Sequence, residues 1–177
     1  MKHNYEFCPD CKEKEKEKEE LEYYSIKLAL QDDLSDKVNL IFNYLPTKVN
    51  IDFPMVIHGT FELDSSRNQL TESDKNKFVL GKLIDLIITT AKELKQPNKR
   101  KANWAPFRLL LYKNTNKVLE DLSFYQSIEE KKENLEIYPC VDNEYRKKQD
   151  VYFYNNEFSQ FVLSSKQTGL FSNLLKP

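Results

Sequence analysis

The stretch VLGKLIDLIITTAKEL, residues 79–94, puts apolar side chains on more than one flank of a helix, and this limits the folds open to the chain. Leu80, Leu83, Ile84, Ile87, Ala91 and Leu94 recur at the three- and four-residue steps of a single helical face. Val79, Leu86 and Ile88 widen that face into a helix buried on more than one side. Cover from a sheet and from further helices is therefore expected. Just ahead, Thr71-Glu72-Ser73-Asp74 fits a capping box, with Thr71 as the cap and Asp74 reaching back to it. Gly81 inside the helix costs about 1 kcal/mol relative to alanine, which predicts a close backbone approach at that point.

The residues before the helix alternate rather than cycle. Tyr24, Ile26, Leu28 and Leu30 alternate with Ser25, Lys27 and Ala29, as a half-buried strand requires. Residues 38–45 are apolar enough to pack, and Pro46 is expected to close that segment. From residue 53 to 63 the odd positions Phe53, Met55, Ile57, Gly59, Phe61 and Leu63 form a core face, and His58 and Glu62 point away from it. The polar run DSSRN then predicts a turn. Beyond the long helix, residues 104–112 and 117–132 read as helices, 135–141 and 151–154 as short strands, and 156–164 as a closing helix. Strands followed by helices, without a regular βαβ alternation, give an α+β fold: a small mixed sheet against a long buried helix. Residues 21–177 are expected to form one domain, and the alternating KEKEKEKEE of residues 12–20 belongs to a solvated N-terminal segment, residues 1–20.

Charge and composition exclude several functions. With 27 Lys+Arg against 28 Asp+Glu the net charge is −1, so no whole-molecule field draws nucleic acid or an anionic membrane. No apolar run reaches the roughly 18–20 residues that span a bilayer, and three cysteines are too few for a secreted disulfide framework, so a cytoplasmic protein is expected. Only three glycines occur, Gly59, Gly81 and Gly169, and they lie far apart. Loops that cradle phosphate need clustered glycines, so the chain alone carries no nucleotide site and no catalytic motif.

Four groups of residues compete as sites. Cys8 and Cys11 form a Cys-Pro-Asp-Cys pair, for which His3, His58 and Cys140 are the available further zinc ligands. Two free thiols are the default reading, because the pair stands before a charged repeat rather than at a helix start. His58 is a candidate general base, yet on its strand face the nearest carboxylate, Glu62, lies about 13 Å along. Lys99, Arg100 and Lys101 followed by Trp104 offer phosphate contact and base stacking, against the simpler reading of a solvated loop. Arg67 follows a strand and precedes a capped helix, so rigid elements flank it, and an arginine so held acts as a fork for phosphate. The competing reading is a turn arginine paired with Asp64.

The segment LPTKVNIDFPMVIHGTFELDSSRNQL, residues 45–70, resembles the stretch that follows the ATP-binding domain in sacsin-like proteins. These belong to the superfamily of gyrase, the ninety-kilodalton heat-shock chaperone, histidine kinases and mismatch-repair ATPases. The shared pattern is a Leu-Pro-Thr corner, a strand with His or Asn before Gly, Phe-x-Leu-x-Ser-x-Arg and a long apolar helix. LEIYPCVDNEYRKKQDVYF, residues 135–153, is similar to a later segment of such proteins. The family's magnesium-binding asparagine, its adenine loop and its glycine-rich lid have no counterpart here, so the resemblance implies a detached middle region. It further implies a partner ATPase domain that holds ATP and Mg, with Arg67 as the basic residue that reaches the γ-phosphate in trans. A client protein is a further partner implied by the family. The alternatives are a nucleic-acid-associated module of a bacterial defence ATPase and a stand-alone protein-interaction domain.

Overall fold

The computed structural model describes residues 23–30, 34, 38–95, 102–165, 169 and 171–176. Four strands, β1 (Ile26–Leu30), β2 (Val38–Asn43), β3 (Leu45–Phe53) and β4 (Met55–Gly59), form a sheet in the order β1-β4-β2-β3. β4 runs antiparallel to β1 and parallel to β2, and β2 runs antiparallel to β3, so the sheet is mixed. In β3 the buried Thr47, Val49, Ile51 and Phe53 alternate with exposed Lys48 and Asn50, the period that places one face on the core.

Two strand boundaries differ from the sequence reading. The segment starting at Val38 turns at Tyr44, whose φ is 59°, and Pro46 lies inside β3 opposite Phe42 instead of closing the strand. β3 is an edge strand, where a residue without an N–H is tolerated. The single strand expected over residues 53–63 is broken at Pro54, because Phe53 ends β3 on one side of β2 and Met55 begins β4 on the other. The odd-numbered core face nevertheless persists, with Phe53, Met55, Ile57 and Phe61 all buried. After Gly59 the Phe61 N–H donates to the Gly59 carbonyl at 3.1 Å, a three-residue turn that ends the strand.

Helix α1 (Asp74–Glu93) buries Val79, Leu80, Leu83, Ile84, Ile87, Ile88 and Ala91 against β1 and two later helices, with Leu86 and Leu94 partly covered. Its cap is Ser73, not Thr71: the Ser73 hydroxyl accepts from the Asn76 N–H at 3.2 Å. Thr71 is engaged elsewhere, its N–H and hydroxyl both donating to the Glu62 carbonyl. Nor does Gly81 mark a close approach, since a Cβ built there meets no atom within 4 Å. Gly81→Ala is therefore expected to stabilise the protein by about 0.5–1 kcal/mol, read as a higher urea midpoint with an unchanged m-value.

Three shorter helices complete the cover: α2 (Ala105–Leu109), α3 (Lys117–Asp121) and α4 (Phe124–Glu133). The helix expected over residues 104–112 stops at Leu109, and the one over 117–132 splits at Ser123, whose φ of 58° breaks the ladder. An aromatic column joins sheet to helices, with Phe53 stacked on Tyr112 at 4.9 Å and Tyr112 on Tyr125 at 5.3 Å. Burial, then the Glu129 carboxylate that accepts from its hydroxyl at 2.8 Å, pushes the Tyr112 pKa far up. The strand expected over 135–141 contracts to β5 (Tyr138–Pro139), which pairs with β6 (Tyr145–Arg146) inside the connection expected to carry no strand, and the one over 151–154 contracts to a bridge from Tyr152 to Leu174. Arg146 forks onto both oxygens of Asp142 within that hairpin, at 2.9 and 2.5 Å. Helix α5 (Asn156–Ser164) forms where expected, capped by Asn155, and its Phe158 and Val162 close a small second core with Val141 and Leu174. The fold is α+β, and no described helix is long and apolar enough to cross a membrane.

Candidate functional site

Arg67 sits at the tip of a loop closed by a bridge between Leu63 and Leu70, with a φ of 58° that costs a side-chain-bearing residue about 1 kcal/mol. Asp64 builds the loop. Its carboxylate accepts from the Ser66 hydroxyl at 2.8 Å and from the backbone N–H groups of Asn68 and Gln69 at 2.8 and 3.4 Å. These bonds, led by that of Ser66, hold the Asp64 carboxyl below the usual carboxylate range. With the carboxylate so occupied, the expected Arg67–Asp64 pair does not form. The Arg67 guanidinium instead donates through Nη2 to the Asn43 carbonyl at 2.8 Å, and the Arg67 carbonyl accepts from the Lys48 N–H at 3.2 Å. Side chain and backbone therefore tie the loop to the corner between β2 and β3.

That corner is fixed from below. Asn43 donates through Nδ2 to the Phe61 carbonyl at 2.7 Å, and the Tyr44 N–H donates to His58 Nε2 at 3.3 Å, with the Tyr44 ring edge-on to the imidazole at 6.0 Å. Asn76, fully buried, clamps the strand that enters the loop. Its Oδ1 accepts from the Glu62 N–H at 2.9 Å, while its Nδ2 donates to the carbonyls of Glu62 and Thr71 at 2.8 Å each. Asn76 thus pairs with Glu62 as a neighbouring strand would.

Above this scaffold the surface is apolar and cationic. Tyr44 is 83% and Leu45 63% exposed, and among the described residues the exposed Arg67 spends one of its five N–H donors on a partner, the Asn43 carbonyl. Buried Asn43 Oδ1, His58 Nδ1 and Asn68 Oδ1 have no partner among the described residues. Each such atom costs about 1–3 kcal/mol. Together with the left-handed Tyr44 and Arg67, they make this corner the place where local stability is most plainly given up.

The other candidates fare differently. His58 Nε2 is occupied by Tyr44, and its face neighbours are engaged, Thr60 accepting from the Ser25 N–H at 3.1 Å and Glu62 pairing with Lys75 at 3.6 Å. It orients Tyr44, and among the described residues no hydrogen bond joins it to a hydroxyl or thiol. Cys140 is buried and burial pushes its thiol up, with Arg146 opposing; its Sγ lies 3.7 Å from the Tyr138 carbonyl. His3, Cys8, Cys11, Lys99, Arg100 and Lys101 lie outside the described residues, as does the charged repeat. Among the described residues no three His, Cys, Asp or Glu side chains gather as a metal site. Trp104 packs edge-on against Phe107 at 5.5 Å, at the border of the core, which engages the ring that base stacking would use.

The sequence pointed to Arg67 but missed its partner, and it missed Asn43, Tyr44 and Asn76 altogether. The one available signal was the alternation of Thr47, Val49, Ile51 and Phe53, which marks a strand that includes Pro46 rather than ending at it. No protein-family model, curated protein or solved structure matches the chain.

Proposed function

We propose that this chain is a non-catalytic, transducer-like domain of a sacsin-like ATPase system, which docks on a separate ATPase domain and offers Arg67 to the γ-phosphate of the nucleotide held there. ATP and Mg belong to that partner. The observation that carries the reading is the posture of Arg67: backbone and side chain are both anchored, four N–H donors have no partner among the described residues, and exposed Tyr44 and Leu45 follow the Asn43 that holds it. Tyrosine and arginine flanked by apolar surface are the residues on which protein interfaces concentrate their energy. An anchored guanidinium loses little further freedom when it meets a phosphate oxygen, which favours recognition over a free surface arginine.

The same corner also suits the coarser alternative, a protein-interaction domain whose partner holds no nucleotide. Photocrosslinking separates the two. A photoreactive phenylalanine analogue in place of Leu45 is expected to capture a protein that carries the magnesium-binding asparagine and glycine-rich lid of the superfamily, and Arg67→Ala is expected to weaken that capture. Adducts that include no ATPase would overturn the reading in favour of the coarser one. The purified chain alone is expected not to hydrolyse ATP, and robust turnover by it would sink the proposal outright.

A further inference from the structure

A second surface stands apart from the Arg67 corner. Tyr152, Phe153, Tyr154 and Phe161 are each between 61 and 66% exposed, and Phe171 is 38% exposed. Aromatic side chains bury roughly 150–250 Å² each, so these five leave on the order of 600 Å² of ring surface in water. That is most of the ~800 Å² that each partner contributes to a standard stable interface. Three of them are contiguous: Tyr152, Tyr154 and Phe171 line one open groove of about 340 Å³, and Tyr154 and Phe171 both pack on Phe158.

The backbone beneath them is an unpaired edge. Val151 and Asn155 have extended angles, with φ and ψ of −119° and 148°, and −67° and 157°. Tyr152 uses both its backbone groups inward, its N–H donating to Asn173 at 2.9 Å and its carbonyl accepting from Leu175 at 3.3 Å. In an extended chain the next residue directs its groups to the opposite side. Phe153 has no backbone hydrogen bond to any described residue, so among the described residues nothing pairs with that side. Because Tyr152 and Tyr154 project from one face of the ribbon and Phe153 from the other, an occupant has to reach both faces at once, as an added strand does.

We infer that residues 152–154 pair antiparallel with the same residues of a second copy of this chain, forming a two-fold dimer. The sequence Tyr-Phe-Tyr reads the same in both directions. Antiparallel pairing about Phe153 therefore sets Phe153 against Phe153 of the second copy, exchanging both backbone bonds, and each Tyr152 against a Tyr154.

Sedimentation equilibrium of the full chain tests this. A dimer is expected, and Phe153→Asp is expected to raise its dissociation constant about 30-fold or more, as the loss of a central aromatic anchor does, with circular dichroism unchanged. A chain that stays monomeric up to about 0.1 mM, or a dimer that Phe153→Asp leaves intact, overturns the inference. If Phe153→Asp disturbs the fold, Phe153→Cys in a background lacking Cys8 and Cys11 decides instead. Paired Cα atoms about 5.5 Å apart fall within disulfide range, so mild oxidation is expected to link two copies through that position, and failure to link them counts against the pairing.

Discussion

Asn76→Ala is expected to lower folding stability by about 2–3 kcal/mol. Asn76 is fully buried and serves three backbone groups, but the three depend on it unequally. The Glu62 carbonyl keeps the Thr71 N–H and the Thr71 carbonyl keeps the Ser73 N–H, both at 3.0 Å. The Glu62 N–H loses its partner entirely, and the vacated volume adds a cavity cost. Asn76→Asp keeps the acceptor for that N–H but sets a carboxylate against two carbonyl oxygens without a donor. Burial and those oxygens raise its folded-state pKa above the unfolded value, so the variant should be at least as unstable near neutrality and recover as the pH falls. Urea unfolding at two pH values measures both. A loss below about 1 kcal/mol for the alanine variant would mean that the clamp is dispensable.

Gly59→Ala should cost about 2 kcal/mol for a steric reason. A Cβ at residue 59 would stand 2.5 Å from Cε2, 3.0 Å from Cζ and 3.2 Å from Cδ2 of Phe61. That ring is 4% exposed and seated in the core, so it cannot swing aside without giving up its own packing. In a Phe61→Ala background the obstacle is gone, and Gly59→Ala is expected to be nearly neutral. The double-mutant cycle should then return a coupling of at least about 1 kcal/mol. Additive costs would show that Gly59 is required by something other than the Phe61 ring.

These two residues show how far the sequence could be read. The buried faces of β1, β4 and α1 were legible because burial imposes its own period on Ile26 to Leu30, Met55 to Gly59 and Val79 to Ala91. The turn at Tyr44 was not, since a left-handed residue normally announces itself as glycine or asparagine, and here a tyrosine adopts it under constraint from His58. The cap moved from Thr71 to Ser73 because Thr71 is drawn to Glu62, a contact that only the folded chain creates. At the site, Arg67 stood out by its place between a strand and a helix. Its partner did not, because a backbone carbonyl 24 residues away leaves no mark on side-chain pattern. Asn76 looked like an ordinary polar residue in a first helical turn, and nothing local distinguishes an amide that caps from one that clamps a distant strand. The C-terminal strands were over-read for a related reason: Tyr152 finds its pairing partner at Leu174, across a helix, so few residues can join the ladder.

The dimer ribbon and the Arg67 corner are carried by different residues, so a variant of one leaves the other intact. Arg67→Ala keeps a Cβ and hence the same backbone strain, and it removes one exposed hydrogen bond, so folding should change by no more than about 1 kcal/mol. Any larger consequence must be read at the partner. The most direct measurement is the rate of Mg–ATP hydrolysis by the ATPase captured at Leu45, with wild-type chain, with Arg67→Ala and with no chain added. A guanidinium that meets the γ-phosphate in trans predicts stimulation by the wild-type chain and a loss of about tenfold or more for Arg67→Ala at concentrations that keep both chains bound. Equal hydrolysis with the wild-type and Arg67→Ala chains, both bound, would contradict it.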